Sequence, residues 1–174
     1  SQLCTFILIF IFMGSVAQEK EKGSVEFLLV KPVKRTIFIA AKYVSHAILV
    51  WFGITVSFLI GSLYIAIFFG NFDLVPFIKV NAILFLYIVV TTSAAVCFST
   101  ILKSQVGAGI AAFVTWIILS LASNLQQIGK FFPGKLIEES SAAGASMTPQ
   151  WQPFLGAAFF IAVFIAAAIF SFRR

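Results

Sequence analysis

Charged residues fall at widely separated points along this chain, and the stretches between them are almost wholly apolar. Crossing about 30 Å of hydrocarbon at 1.5 Å per helical residue takes about 20 apolar residues. By that measure the charges divide the chain into five candidate spans, at 1–17, 44–69, 80–102, 106–125 and 154–172. Two segments interrupt the pattern: residues 18–43, between the first two spans, and 126–153, ahead of the last. The pattern predicts an all-α fold, a polytopic transmembrane helix bundle forming one domain over residues 1–174.

Composition supports that reading. Hydrophobic residues make up 61% of the chain and charged residues only 10%, too little polar surface for a soluble domain of this length. The net charge of +6 does not spread over a face, as a nucleic-acid partner would require. It clusters in segment 18–43 and at the C-terminus, as topology signals do. With 18–43 on the cytoplasmic side, the Lys103 turn and the closing Arg173–Arg174 pair fall there too. That side then holds nine Lys and Arg, against Lys79, Lys130 and Lys135 on the other. The reading is a multi-pass protein of the cell membrane, in contact with lipid, its C-terminus cytoplasmic. The chain opens on Ser1 within an apolar run and so reads as a fragment, with no cleavage pattern of a signal peptide. A cytoplasmic N-terminus would need a sixth span upstream.

Segment 19–35 reads EKEKGSVEFLLVKPVKR. Val25, Leu28 and Leu29 fall at i, i+3 and i+4, the stripe of a short amphipathic helix. Glu19, Glu21 and Glu26 lie in or near its first turns, where acidic groups suit the helix dipole. Pro32 ends it, because proline cannot donate a backbone bond and disfavours α geometry at Lys31. Lys34, Arg35 and Lys42 then lead into the next span, within reach of anionic headgroups. Physically this is an interfacial helix, which binds lipid in many proteins without further purpose, or a docking element for a cytoplasmic partner.

The run Glu19-x-Glu21-x-Gly23-Ser24-x-Glu26-x-Leu28-Leu29-x-x-Pro32-x-x-Arg35, with Lys42 seven residues on, resembles the signature of type-2 ABC exporter permeases, E-x-E-x-G-T-x-E-x-L-L-x-x-P-V-S-R. Ser24 stands where threonine is usual, and Lys34 where serine is usual. The closing Phe172-Arg173-Arg174 is similar to the family's F-x-R-R ending, one residue shorter. The resemblance implies the last five of six spans, with a coupling helix that inserts into a groove on a separate cytoplasmic ABC ATPase. It assigns Glu19, Glu21, Gly23, Ser24, Glu26, Leu28, Leu29, Pro32 and Arg35 to that coupling. It also implies pairing with a second permease copy or a sister permease. ATP and magnesium would sit on the ATPase, with no cofactor in this chain.

Other features point to less. Gly129-x-x-x-x-Gly134-Lys135 matches the start of a P-loop, but Leu136 replaces the required Ser or Thr, Pro133 interrupts it and no strand is expected before it. His46 is the only histidine and reads as a satisfied residue about one turn into a span. Cys4 and Cys97 lie in apolar runs and read as small core residues. Asp73 and Lys79 read as solvated caps of a tight turn, and Glu138 and Glu139 as part of a solvated loop. No carboxylate pair, Ser/His set or metal cluster supports enzymatic chemistry, and the spans lack the acids of a proton- or sodium-coupled carrier.

Ala158, Ala162 and Ala166 recur every fourth residue, a small-residue face for which packing within the bundle suffices and which could also serve dimerisation. Gly107, Gly109, Ala111 and Ala112 thin the start of the fourth span in the same way. Segment 126–153 reads as a short amphipathic or re-entrant element followed by a turn, with Trp151 as an interface anchor. The Phe-rich, charge-poor spans suit a hydrophobic or amphiphilic cargo. The alternative to a transporter is a membrane anchor or assembly protein that recruits a cytoplasmic partner through the 19–35 helix. An enzyme acting on lipids is a third class, for which no residues stand out.

Overall fold

Four of the apolar runs fold into helices long and apolar enough to cross a membrane. A computed structural model describes residues 2–21, 35–70, 73–125, 128–145 and 148–173. These form α1 (Gln2–Glu21), α2 (Arg35–Phe69), α3 (Leu74–Ile101), α4 (Gln105–Ala122), a 3-10 turn (Gly129–Phe131), α5 (Lys135–Gly144) and α6 (Gln152–Arg173). No strand occurs among the described residues. The four long apolar helices are α2, α3, α4 and α6, while the apolar part of α1, Thr5–Glu19, is shorter. The chain is a multi-pass helical membrane protein.

Helix α3 is the centre of the bundle and packs against every other α-helix. In its most apolar 18 residues 61% are buried, against 6% for α2. The reason lies in Thr91-Thr92-Ser93-Ala94-Ala95-Val96-Cys97, seven consecutive residues that are all buried. Small side chains let neighbouring backbones approach from several directions. Their hydroxyls turn back to the preceding turn: Thr92 Oγ1 donates to the Ile88 carbonyl at 2.9 Å and Ser93 Oγ to that of Val89 at 2.6 Å. Burial therefore leaves few polar groups unsatisfied. Cys97 is among these buried residues, as expected, and is a free thiol.

Helix α2 starts at Arg35, well before the expected boundary near residue 44. Its 35 residues extend over roughly 52 Å, more than the hydrocarbon thickness, so it must tilt or project beyond the membrane. Residues 18–21 likewise belong to the last turn of α1. The connecting segment is thus narrower than 18–43.

Helix α4 has 18 residues and α3 has 28, about 27 and 42 Å long. The chain after α4 fills the difference. Pro133 and Gly134 line a small cavity with Tyr87 and Thr91 of α3, about 20–25 Å along α3 from Leu74. Leu136 and Ala143 of α5 pack on Ile83, Tyr87, Val90 and Ala157. The expected amphipathic or re-entrant element is therefore a helix folded back into the bundle, where its irregular backbone is covered by protein. Glu138 and Glu139 lie on this helix rather than in a solvated loop. Glu138 pairs with Lys135 at 2.6 Å, and Glu139 Oε2 accepts from the Gln150 amide at 2.8 Å. Asp73 caps α3 by accepting from the Val75 amide at 3.0 Å, as expected.

The small-residue face expected on the last span points the other way. Ala158, Ala162 and Ala166 are exposed, while Ala157 and Ala168 are buried, with Ile161 and Phe164 half-buried between them. That i, i+4, i+7, i+11 series is the inward stripe. Its phase is set at Gly156, where a Cβ would overlap the Phe131 carbonyl. Gly156 therefore has to face the 3-10 turn, and the 158–162–166 row faces outward.

Candidate functional site

The end of α1, the start of α2, the end of α3 and the start of α4 are joined by a set of polar contacts among the described residues. We call this the basic end. Glu19 and Glu21 close α1, two residues apart and about 200° around the helix. They therefore reach different neighbours. Lys42 Nζ of α2 donates to Glu19 Oε1 at 2.6 Å. The backbone amide of Gln105, first residue of α4, donates to Glu21 Oε1 at 2.8 Å.

Each contact has a local cause. The first amides of a helix have no partner within it, and α4 begins with a weak cap, Ser104 Oγ lying 3.4 Å from the Gly107 amide. The Glu21 carboxylate supplies an acceptor there and matches the positive end of the α4 dipole. Lys42 lies 5.7 Å from the Phe38 ring centroid, which helps hold its stem in place. The Glu19 and Lys42 side chains keep 30% and 25% of their surface exposed, so solvent screening limits the pair to about 1 kcal/mol or less. Its value is geometric: it fixes one helix end against another.

A third link runs to α3. Ser99 Oγ accepts from the amides of both Val16 and Ala17, each at 2.9 Å, in a fully buried setting. Nearby, α1 and α4 cross closely. A Cβ on Gly14 would come within 2.9 Å of Gln105 Nε2, and one on Gly109 would collide with Met13. The thin start of the fourth span expected from Gly109 and Ala112 is thus used against α1; Ala112 shares a core cluster with Ile9 and Phe12. Glu19 Oε2 and Ser15 Oγ, one turn apart on α1, are buried without a hydrogen-bond partner.

Of the residues assigned to coupling by their pattern, the structure brings Glu19 and Glu21 into this junction, and Arg35 opens α2. Gly23, Ser24, Glu26, Leu28, Leu29 and Pro32 lie outside the described residues. Ser99 and Gln105 do not stand out in the sequence; the hint was the hydroxyl-rich run ending Phe98-Ser99-Thr100. His46 is half-buried, its Nδ1 on the Lys42 carbonyl and its ring edge-on to Phe12 at 4.3 Å between centroids. It is satisfied, as expected.

Two further features bear on chemistry. A cavity of about 580 Å³ lies between α1, α2 and α3, with Phe12, Val50, Gly53, Ile54, Asn81 and Tyr87 among its lining. Its size is that of a small-molecule pocket, and its lining is mostly apolar. In the P-loop-like stretch Gly129–Lys135, Gly129 belongs to a 3-10 turn and the Lys135 ammonium is held by Glu138. No group of three or more metal-ligating side chains occurs among the described residues.

In comparison with known families, residues 3–136 match the family described as ABC-2 family transporter protein. No curated protein and no solved structure matched the chain. The match covers all of α1 to α4 except Gln2, including both sides of the basic-end junction. The chain belongs to the ABC-2 transporter family, and is a membrane-spanning permease subunit of the ABC transporter type.

Proposed function

We propose that the chain is the permease subunit of an ATP-driven exporter, working beside a second copy or a sister permease. A separate cytoplasmic ABC ATPase carries the nucleotide and its magnesium and docks on the segment between α1 and α2. Glu26 and the Leu28–Leu29 face form the docking surface, flanked by Gly23, Ser24 and Pro32. Nucleotide-driven closure of two ATPases displaces these segments and rocks two permeases against each other, opening a path for cargo.

The observation that carries this reading is the distribution of charge around that segment. By sequence, nine of the twelve Lys and Arg fall in segment 18–43, at Lys103 and in the closing Arg173–Arg174 pair, which supports a cytoplasmic assignment for that segment under the positive-inside rule. The end of α1 and the start of α2, which that segment joins in sequence, both lie at the basic end. The apolar cavity and the scarcity of charge within the spans favour a hydrophobic or amphiphilic cargo.

The test is purification of the full-length tagged protein from native membranes, with mass spectrometry and an ATP hydrolysis assay. A stoichiometric soluble ABC ATPase, lost on Glu26→Lys at unchanged membrane levels, is the expected result. A preparation with no ATPase would overturn it in favour of an anchor or assembly role for the same segment.

A further inference from the structure

We propose that Glu19 and Glu21 act within the permease as positioning residues, fastening the basic end of α1 to α2 and α4 so that these helices move as one body. The inference rests on the exporter reading above, and departs from it in giving these two carboxylates no contact with the ATPase.

The argument is one of occupancy. Glu19 Oε1 is held by Lys42 at 2.6 Å and Glu21 Oε1 by the Gln105 amide at 2.8 Å. Both partners lie in the same chain and on different helices. Ser99 adds a buried link from α3 to the α1 amides one turn earlier. The ends of three other helices therefore converge on the last two turns of α1. By contrast α1 and α2 pack sparsely along the rest of their length, so Glu19–Lys42 is the principal polar tie between them among the described residues. A displacement arriving between α1 and α2 would separate two loosely packed helices if that tie were absent. With it, and with Glu21 on the α4 amide, the displacement reaches α4 through α1.

Lys42 also explains a pattern in the chain. It stands 23 residues after Glu19, the register at which the first turns of α2 return beside the last turn of α1. Moving the lysine one residue along α2 would rotate it about 100° away.

The test uses the full-length permease with its co-purified ATPase. Spin labels go on exposed positions of α1 and α4, Gln18→Cys and Val106→Cys, in a Cys4→Ala, Cys97→Ala background. The 18–106 distance is measured without nucleotide and with ATP and vanadate. Expected for the parent protein is one narrow distance in both states. Glu21→Ala should keep the ATPase at parent stoichiometry, broaden that distance and lower ATP turnover about two- to fivefold, a modest loss because the bond is solvent-exposed. Glu21→Gln, which keeps an acceptor oxygen, should restore most of it. Glu19→Lys should leave the 18–106 distance narrow, because its tie is to α2, but lower ATP turnover at parent ATPase stoichiometry, and adding Lys42→Glu should restore that turnover.

Loss of the ATPase from Glu19→Lys or Glu21→Ala, as from Glu26→Lys, would overturn the inference by making these residues docking contacts. So would an unchanged 18–106 distance in Glu21→Ala, or failure of the charge exchange to rescue. Absence of an ATPase from the parent preparation would instead sink the exporter reading, a distinct result.

Discussion

Trp116 Nε1 of α4 donates a 2.7 Å hydrogen bond to the Tyr87 hydroxyl of α3, and Thr5 of α1 bonds the same hydroxyl. One phenol thus joins three helices well inside the bundle, where Tyr87 is only 3% exposed. Tyr87→Phe removes the acceptor, leaves the indole N–H unpaired and should cost about 1–2 kcal/mol. Denaturant titration in detergent would show it as a lowered midpoint, with a shift in Trp116 emission as a local marker. Trp116→Phe in the Tyr87→Phe background should add little, since the orphaned donor is then gone.

Ser99 should prove more costly than a lone serine in a span usually is. Its hydroxyl accepts two buried amides at once, and Ser99→Ala removes both interhelical bonds, leaving each amide only the carbonyl one turn back in α1. The expected loss is about 0.5–1.5 kcal/mol, with hydrogen exchange at Val16 and Ala17 rising several-fold while exchange in the middle of α3 stays slow. Uniform loss of protection across the bundle would contradict this local reading.

Legibility from sequence divides along physical lines. Four of the five expected spans were legible because apolar length is a one-dimensional signal, and Glu19, Glu21 and Lys42 were visible because their charges stand out in a charge-poor chain. The start of α2 at Arg35 was obscured by Lys42 and Arg35 themselves: hydropathy marks where apolarity begins, not where the helix does. Ser99 was hidden because a hydroxyl can satisfy itself on its own helix, as Thr92 and Ser93 do, so identity alone does not reveal an interhelical role. For the row Ala158, Ala162 and Ala166, only the packing within the bundle is ruled out, for a related reason. Small spacing shows that a face can pack closely, and only the Gly156–Phe131 approach decides which face does.

Gly53 and Gly109 should respond oppositely to the same substitution. Nothing lies within 4 Å of a Cβ at Gly53, while one at Gly109 would collide with Met13. Gly53→Ala therefore gains helix propensity without strain and should stabilise by about 0.5–1 kcal/mol. Gly109→Ala gains the same propensity but crowds the α1–α4 crossing, and should destabilise by about 1–3 kcal/mol. Thermal midpoints of the two variants, measured in one detergent, give the signs. Met13→Ala should relieve Gly109→Ala and leave Gly53→Ala unaffected, because only the first depends on that contact.

Orientation makes the last prediction. Lys103 is exposed in the turn joining α3 to α4, at the basic end, and Lys130 is exposed in the 3-10 turn that follows the far end of α4. The excess of Lys and Arg at the basic end favours its retention in the cytoplasm. In intact cells a membrane-impermeant thiol reagent should label Lys130→Cys and spare Lys103→Cys, with both labelled after permeabilisation. Neither residue belongs to the core, and Lys103 has no ion pair assigned to it among the described residues, so neither change should disturb folding. The reverse pattern would put the junction of α1, α2 and α4 outside the cell. No nucleotide-driven partner could then reach it, and the exporter reading would fall with the orientation.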